Sequence, residues 1–202
     1  IIGAQSLINA GFPHQVAALR NGTIGWLLAG QQLETGADRR YPDVSPEQLG
    51  QARTEARAVA DRAGVRRMPR AELAAWLANS ARTIYRCDVR SPDEYEAGHL
   101  PGSLCTPGGQ LVQEIDHTAA VRGACLLLID PLGVRADMSG SWLAQMGWET
   151  YVLDGIDSAD LSETGPERRQ HPPVEGQAIV VSRLLEWLAY GSDTWVIDLG
   201  TA

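Results

Sequence analysis

The most constraining feature of this chain is an uninterrupted apolar run, Cys125-Leu126-Leu127-Leu128-Ile129, that leads directly into a short loop. An apolar run of strand length without alternation is typical of a central parallel strand that is buried on both faces. The residues after the loop predict a helix, because apolar side chains recur on one face of it: Val134, Met138, Trp142 or Leu143, and Met146. A buried strand, a tight loop and a helix in succession are the building unit of an α/β fold.

Other segments predict more strands and helices in alternation. Residues 84–89 predict a strand of mixed burial, and Tyr151-Val152-Leu153 predicts another. Pro92-Asp93-Glu94-Tyr95 predicts the start of a short helix between them. We therefore expect a mostly parallel central sheet with helices on both faces.

The first third of the chain predicts simpler elements. We expect an amphipathic helix that ends near Gly11-Phe12-Pro13, a short buried strand at residues 16–19 and a turn at Asn21-Gly22. Ser45-Pro46-Glu47 is typical of a helix start, with Ser as the N-cap and Pro in the first turn. The residues that follow, up to position 62, are rich in Ala, Arg and Glu, and this composition predicts a largely exposed linker helix.

Charge and cysteine content exclude several classes of function. The chain has 202 residues, a formal net charge of −8 and a pI of about 5.0, so it lacks the basic balance that nucleic acid binding requires. No apolar run approaches the roughly 18 residues of a membrane span. The three cysteines show no CxxC or Cys/His spacing, which argues against a structural zinc site and against a disulfide framework. We expect a cytoplasmic protein without metal or cofactor.

The chain also carries an internal repeat. Residues 72–89 are echoed by residues 184–199, and residues 133–155 are echoed by residues 1–22. The echoed stretches lie roughly 110 and roughly 130 residues apart, a separation of domain length that indicates tandem domains. We therefore expect a segment of a longer protein that contains the end of one repeat, a linker helix, a complete domain, a second linker and the start of another repeat: residues 1–36, 37–66, 67–156, 157–176 and 177–202.

Two motifs lie within residues 67–156. The first is Asp88-Val89-Arg90-Ser91-Pro92-Asp93-Glu94-Tyr95-Glu96-Ala97-Gly98-His99-Leu100-Pro101-Gly102-Ser103. The second is the loop after the apolar run: Asp130, Pro131, Leu132, Gly133, Val134 and Arg135. The first resembles the rhodanese family signature of Asp-Val-Arg, Glu-Tyr and Gly-His-Ile-Pro-Gly-Ala, and the second resembles that family's Cys-x-x-Gly-x-Arg loop. The resemblance implies a rhodanese-like open parallel sheet flanked by helices, with partial repeats at each end of the chain.

The same resemblance implies a reaction and shows what is missing for it. In the rhodanese family a cysteine thiolate takes the outer sulfur of thiosulfate and passes it, as a persulfide, to a thiophilic acceptor. Gly133 and Arg135 stand where the pattern has them, but Asp130 replaces the cysteine. A carboxylate cannot carry a persulfide, and its charge repels thiosulfate. We expect Asp130 to accept hydrogen bonds from the loop N–H groups, to occupy the anion site itself and to pair with Arg135.

This substitution leaves two hypotheses about function. In the first, the parent protein is a thiosulfate sulfurtransferase whose active cysteine lies in another repeat, while the complete domain is inactive. In the second, the domain is a non-catalytic scaffold or regulatory module that binds an anion or a partner. The expected partners are neighbouring repeats of the same chain, a small anion, and a second copy of the chain through the partial end repeats.

The remaining candidate residues are expected to have structural roles. Three of them are predicted to brace the fold around the pocket: Asp88, Arg90 and His99. Cys87 and Cys125 lie in predicted strands, where a buried role is expected. Cys105 is expected to be more exposed, but nothing close to it in sequence would lower the pKa of its thiol.

Overall fold

The computed structural model describes residues 2–36, 44–79, 81–167 and 179–189. The chain divides into two compact units, Ile1–Glu167 and Arg168–Ala202. In the second unit the structure describes one helix, Val181–Ala189. It contains Leu184, Leu185, Trp187 and Leu188, whose spacing predicts a short helix. The sequence also predicts a strand at residues 195–199 and a loop at residues 38–42. Both segments, and residues 168–176 of the second predicted linker, lie outside the described residues.

The first unit is built on a parallel sheet of five strands, which confirms the predicted fold class. In chain order the strands are β1 (Arg66–Pro69), β2 (Ile84–Asp88), β3 (Leu104–Cys105), β4 (Cys125–Ile129) and β5 (Glu149–Asp154). Their order across the sheet is β1-β5-β4-β2-β3, so β4 is the central strand. All five residues of β4 are buried, as the apolar run predicts.

Nine helices accompany the strands in the described parts of the chain. They are α1 (Ile2–Asn9), α2 (Gly22–Leu28), α3 (Pro46–Arg62), α4 (Leu73–Asn79), α5 (Pro92–Ala97), α6 (Gly108–Gln113), α7 (Ile115–Thr118), α8 (Val134–Gln145) and α9 (Val181–Ala189). A single 3-10 turn, Arg70–Glu72, precedes α4. None of the described helices combines the length and the apolar content that crossing a membrane requires.

The core lies on both faces of the sheet. Leu126 and Leu128 of β4 pack into one cluster with residues of α3, α6 and α8. Leu127 and Ile129, the alternate residues of the same strand, pack into a second cluster with Leu73 of α4. Burying one such side chain contributes about 1.5–3 kcal/mol, so β4 is the main anchor of the fold.

Of the predicted apolar face of α8, only Leu143, the alternative to Trp142, is fully buried. Val134, Met138 and Trp142 are only half-buried, and Met146, just past the helix, is 49% exposed. The side chains that pack inward are instead small, apart from one Leu: Ala136, Ser139, Gly140 and Leu143. A Cβ atom at Gly140 would lie 3.3 Å from Leu128 Cδ1, so α8 sits close against β4. The apolar pattern missed this face because close packing selects small residues rather than large apolar ones.

Two predictions for the first third of the chain have opposite outcomes. The predicted N-terminal helix is present as α1 and ends before Gly11. The strand predicted at residues 16–19 is wrong: this segment is irregular, and Leu19 is exposed. A short apolar run becomes a strand only where a neighbouring strand accepts its hydrogen bonds, and among the described residues it pairs with none.

Helix α3 is more than the exposed linker that its composition predicts. Ser45 and Gln48 form the expected cap, with Gln48 N donating to Ser45 Oγ at 3.2 Å. The outer face is exposed, but Ala56, Val59 and Ala60 are buried, and the helix packs against α8. Alanines gave too weak an apolar signal to reveal this second face.

Residues 157–167, predicted as part of a linker, also pack on the domain. His99 N donates to Glu163 O at 2.8 Å, and Glu163 N donates back to His99 O at 3.1 Å. Gly165 N donates to Glu96 O at 2.8 Å, and Arg70 Nε donates to Asp160 Oδ1 at 2.6 Å. This stretch therefore extends the domain along α5 and the loop after it.

Candidate functional site

The carboxyl end of β4 places Asp130 at the centre of a tight loop that begins α8. Asp130 is 1% exposed. Its Oδ1 accepts a hydrogen bond from Leu132 N at 3.2 Å, and its Oδ2 accepts one from Arg135 N at 2.9 Å. Gly133 N donates to the Asp130 carbonyl oxygen at 2.8 Å. The loop N–H groups therefore converge on residue 130, as they would on a bound anion.

Gly133 makes this loop conformation accessible. Its φ is +80°, in the left-handed region that disfavours residues with a Cβ atom. It forms the N-cap of α8 without a side chain of its own. The tight turn therefore requires glycine at this position, where the sequence motif has it.

Arg135 has a different main partner from the expected one. Its Nη2 lies 3.8 Å from Asp130 Oδ1, at the outer limit of an ion pair. With Glu94 of α5 it forms two short bonds, Nη1 to Oε2 at 2.6 Å and Nη2 to Oε1 at 2.8 Å. Two parallel bonds to one carboxylate are the geometry that a guanidinium prefers. The predicted pairing with Asp130 is thus secondary, because the guanidinium group of Arg135 is bound mainly by the Glu94 carboxylate.

Glu94 is also the hub of the α5 cap. Ser91 donates to Glu94 Oε2 from its backbone N at 3.0 Å and from its hydroxyl at 2.7 Å. The bond from Arg135, aided by those from Ser91, lowers the pKa of Glu94 from its ordinary 4.5 to about 2. The two sequence motifs are therefore joined by a carboxylate that stays ionised.

Asp88 and Arg90 form a buried ion pair at the end of β2. Arg90 donates from Nε to Asp88 Oδ1 at 2.9 Å and from Nη2 to Asp88 Oδ2 at 2.6 Å. Arg90 Nη2 also donates to Gly98 O at 2.7 Å, which ties the end of α5 to the sheet. Hydrogen bonding to Asp88 raises the pKa of Arg90. The arrangement is that of a brace between strand and loop.

His99 is held by its neighbours on α5. Its Nδ1 lies 2.8 Å from Tyr95 O, and its ring stacks on the Tyr95 ring with centroids 3.7 Å apart. Its Nε2 lies 3.6 Å from Glu163 Oε2. Within the described ranges, no cluster of His, Cys, Asp or Glu is arranged to hold a metal ion.

The environment of each cysteine disfavours its thiolate. Burial raises the pKa of Cys87 to about 12. Burial, followed by the charge of Glu149, raises the pKa of Cys125. Cys105 is half-buried, and burial together with the charge of Glu167 raises its pKa as well. A reactive cysteine needs the opposite environment, with cations and N–H groups around the sulfur.

A cavity of about 430 Å³ opens beside the Asp130 loop. Its walls come from the loop, from α8, from the end of β5 and from α3. The charged residues among them are Arg53, Arg57, Asp130, Asp137 and Asp154. Cavities at the carboxyl ends of parallel strands are the usual ligand positions in α/β folds. Neither Arg90 nor His99 is among the described residues that line this one.

Four charged residues of this cavity are not predicted as site residues from the sequence: Arg53, Arg57, Asp137 and Asp154. Arg53 and Arg57 lie one turn apart on α3, where they look like ordinary exposed charges of a linker helix. Asp137 on α8 is buried and pairs with Arg67 of β1. The sequence does not predict β1, because two of its four residues are arginines. Burial raises the pKa of Asp137, although the hydrogen bond from Arg67 opposes this shift. Only the i, i+4 spacing of the two α3 arginines could have indicated a shared surface.

The parallel sheet and the loop at the end of its central strand are those of an α/β protein with a site at the carboxyl ends of the strands. Residues 70–155 match the family model of the rhodanese-like domain. The chain therefore carries a rhodanese-like domain. Among solved structures, a thiosulfate sulfurtransferase from Pseudomonas aeruginosa is 58% identical to this chain with a TM-score of 0.81. That match covers 93% of this chain and 36% of the other, so this chain spans about a third of that protein.

Two further solved structures match this chain weakly, with TM-scores below 0.5. A protein from Bacillus halodurans is 19% identical, with 50% of this chain and 74% of that chain covered and a TM-score of 0.39. A protein from Rhodopseudomonas palustris, described as a possible tyrosine phosphatase, is 17% identical, with 60% and 94% covered and a TM-score of 0.42. No curated protein matches this chain.

Proposed function

We propose that this rhodanese-like domain is a non-catalytic module of a longer thiosulfate sulfurtransferase, in which a cysteine of another repeat transfers the sulfur. The observation behind the proposal is that the Asp130 carboxylate accepts hydrogen bonds from the backbone N–H groups of Leu132 and Arg135 at the centre of the loop. The Asp130 side chain thus occupies the position within the loop that a bound anion would take. The similarity to a thiosulfate sulfurtransferase supports the reaction proposed for the longer protein.

The reaction requires a sulfur nucleophile that this loop does not have. A thiolate attacks the outer sulfur of thiosulfate, the sulfur–sulfur bond breaks, and sulfite leaves with the bonding electron pair. The enzyme then holds a persulfide, whose terminal sulfur passes to an acceptor such as cyanide or a thiol. A carboxylate at position 130 offers no sulfur atom for the first step.

The charges around the loop also oppose the substrate. Thiosulfate is a dianion, and the charged side chains of the cavity are those of three aspartates and two arginines: Asp130, Asp137, Asp154, Arg53 and Arg57. Arg135, the cation of the loop, is bound by Glu94. Arg57 is likewise paired with Asp154 at 2.6 Å. The cavity therefore offers an anion little net attraction.

The scaffold role is supported by exposed apolar side chains outside the loop. The first two helices and the segment around them carry most of them in the first unit: Leu7, Ile8, Phe12, Leu19, Ile24, Trp26, Leu27 and Leu28. In the second unit, Leu185 and Leu188 of α9 are exposed as well. Such surfaces are typical of docking sites, and we propose that neighbouring repeats or a second copy of the chain cover them.

The test is thiosulfate:cyanide sulfurtransferase activity of this chain beside Asp130→Cys and Asp130→Ser. The chain and the Ser variant are expected to be inactive, because neither carries a sulfur atom at position 130. A gain of activity in Asp130→Cys alone would show that the loop otherwise retains its function. Turnover by the unmodified chain would overturn the proposal, and Cys105→Ser would then show whether Cys105 is the nucleophile.

A further inference from the structure

Helix α3 lies outside residues 70–155 but contacts the loop directly. Arg53 Nε donates to Leu132 O at 2.6 Å, and Arg53 Nη2 donates to Pro131 O at 2.7 Å. The two carbonyl groups are consecutive, so they match the fork of one guanidinium. The bonds join residues 78 and 79 positions apart in the chain.

The loop is therefore held from two sides. On one side, the N–H groups of Leu132, Gly133 and Arg135 all bond to Asp130. On the other side, the carbonyl groups of Pro131 and Leu132 bond to Arg53. Hydrogen bonds from a charged donor are stronger than those between neutral groups, although solvent around the exposed Arg53 side chain reduces this gain. The α3 contact therefore contributes to the loop conformation.

We infer that Arg53 is a positioning residue, which holds the 130–135 loop in the conformation in which its N–H groups meet the side chain of residue 130. The part of the inference that concerns position 130 rests on the proposed function, which makes that residue the centre of the site. Helix α3 is then a working part of the site. A nucleophile placed at position 130 would depend on Arg53 without touching it.

Arg57 provides a matched control. It lies one turn further along α3, lines the same cavity and carries the same charge. It donates to Asp154 Oδ2 at 2.6 Å and not to the loop carbonyls. Replacing either arginine removes one positive charge beside the loop, but only Arg53→Ala removes the bonds to the loop carbonyls.

The first test is amide hydrogen exchange, which reports local opening residue by residue. In Arg53→Ala, exchange at Leu132, Gly133 and Arg135 is expected to rise about tenfold, the factor for losing charge-assisted hydrogen bonds. Exchange at Leu127 in β4 should stay unchanged, and Arg53→Lys should fall between the wild type and Arg53→Ala. Equal loop exchange in Arg53→Ala and the wild type, or an equal rise in Arg57→Ala, would overturn the inference.

The second test titrates a cysteine placed at position 130. In Asp130→Cys, the thiol pKa is expected below its free value of about 8.5 because the loop N–H groups stabilise the thiolate. Adding Arg53→Ala should raise this pKa more than adding Arg57→Ala. Equal pKa shifts in the two double variants would show that Arg53 acts only through its charge, and would overturn the inference. If the pKa of Asp130→Cys is not lowered at all, the loop N–H groups do not stabilise an anion at position 130, and the exchange experiment alone decides the role of Arg53.

Discussion

Glu94 and Arg135 join the two motifs of the rhodanese-like domain through a bidentate ion pair, with N–O distances of 2.6 and 2.8 Å. One residue belongs to the helix that follows β2, and the other belongs to the loop that follows β4. The pair removes the loop cation from the cavity and fixes α5 against α8. It therefore accounts for both the low pKa of Glu94 and the secondary role of the Arg135 contact with Asp130.

The Glu94 pair predicts a pH-dependent contribution to stability. The pKa of Glu94 is about 2 in the folded state and 4.5 ordinarily, so its contribution is complete above about pH 4.5 and is lost as the pH falls towards 2. Glu94→Gln keeps the cap but should lower the free energy of unfolding at pH 7 by about 1 kcal/mol, since the pair is partly exposed. Urea unfolding at pH 7 and pH 3 measures this, and the difference from wild type should shrink at pH 3.

Glu96→Gln is the control on the same helix. The structure gives the Glu96 backbone oxygen as the acceptor of a bond from Gly165, and the side chain is exposed. We expect the free energy of unfolding of Glu96→Gln to equal that of the wild type at both pH 7 and pH 3. A pH-independent loss in Glu94→Gln, or the same loss in Glu96→Gln, would contradict the assignment.

The observed buried face of α8 predicts different losses of stability for substitutions at positions 143 and 146. Leu143 is fully buried, so Leu143→Ala should lower the free energy of unfolding by about 2–5 kcal/mol. Met146 is exposed, so Met146→Ala should change it by less than about 0.5 kcal/mol. Denaturant unfolding of both variants measures this difference, and a loss in Met146→Ala comparable to that in Leu143→Ala would contradict the observed face.

The sequence predicted the centre of this fold better than its flanks. Residues 125–129 predicted the central strand because burial on both faces leaves an unmistakable apolar run. The strand β1 escaped prediction because only Met68 of its four residues is buried, while Arg66 and Arg67 mark it as polar. At the edge of a sheet, pairing with β5 defines the strand, and the sequence does not show that pairing.

The candidate site was likewise predicted in part. The motifs located the loop around Asp130 and the bonds that its carboxylate accepts. They did not show that Glu94 would bind Arg135, nor that Arg53 would reach the loop from α3. Those contacts join residues distant in the chain, and charged side chains on exposed helix faces carry no signal of which partner they meet.

The buried pair of Asp88 and Arg90 predicts a large loss when one partner is removed. Asp88→Asn leaves the Arg90 charge buried without its counter-ion and should cost about 3–5 kcal/mol of folding free energy. In Asp88→Asn with Arg90→Met, the loss should be smaller than the sum of the two single losses, because the second change removes the uncompensated charge. Additive losses in thermal unfolding would show that the two side chains act independently.

Cys105 and Cys87 are expected to differ in their reactivity towards thiol reagents. Cys105 is half-buried and should react first with a thiol reagent under native conditions, at a slow rate because its pKa is raised. Cys87, with a pKa of about 12 and a fully buried side chain, should react only when the chain unfolds. Site-resolved labelling against time checks the order, and rapid labelling of Cys87 in the folded protein would contradict it.

The most direct measurement is the mass of the intact chain after incubation with thiosulfate. The account predicts no change for the wild type, because Asp130 cannot accept sulfur and the pKa of every cysteine is raised. It predicts that Asp130→Cys gains the mass of one sulfur atom, which a thiol reductant removes. A wild-type chain that gains one sulfur atom would contradict the central claim that this rhodanese-like domain is non-catalytic.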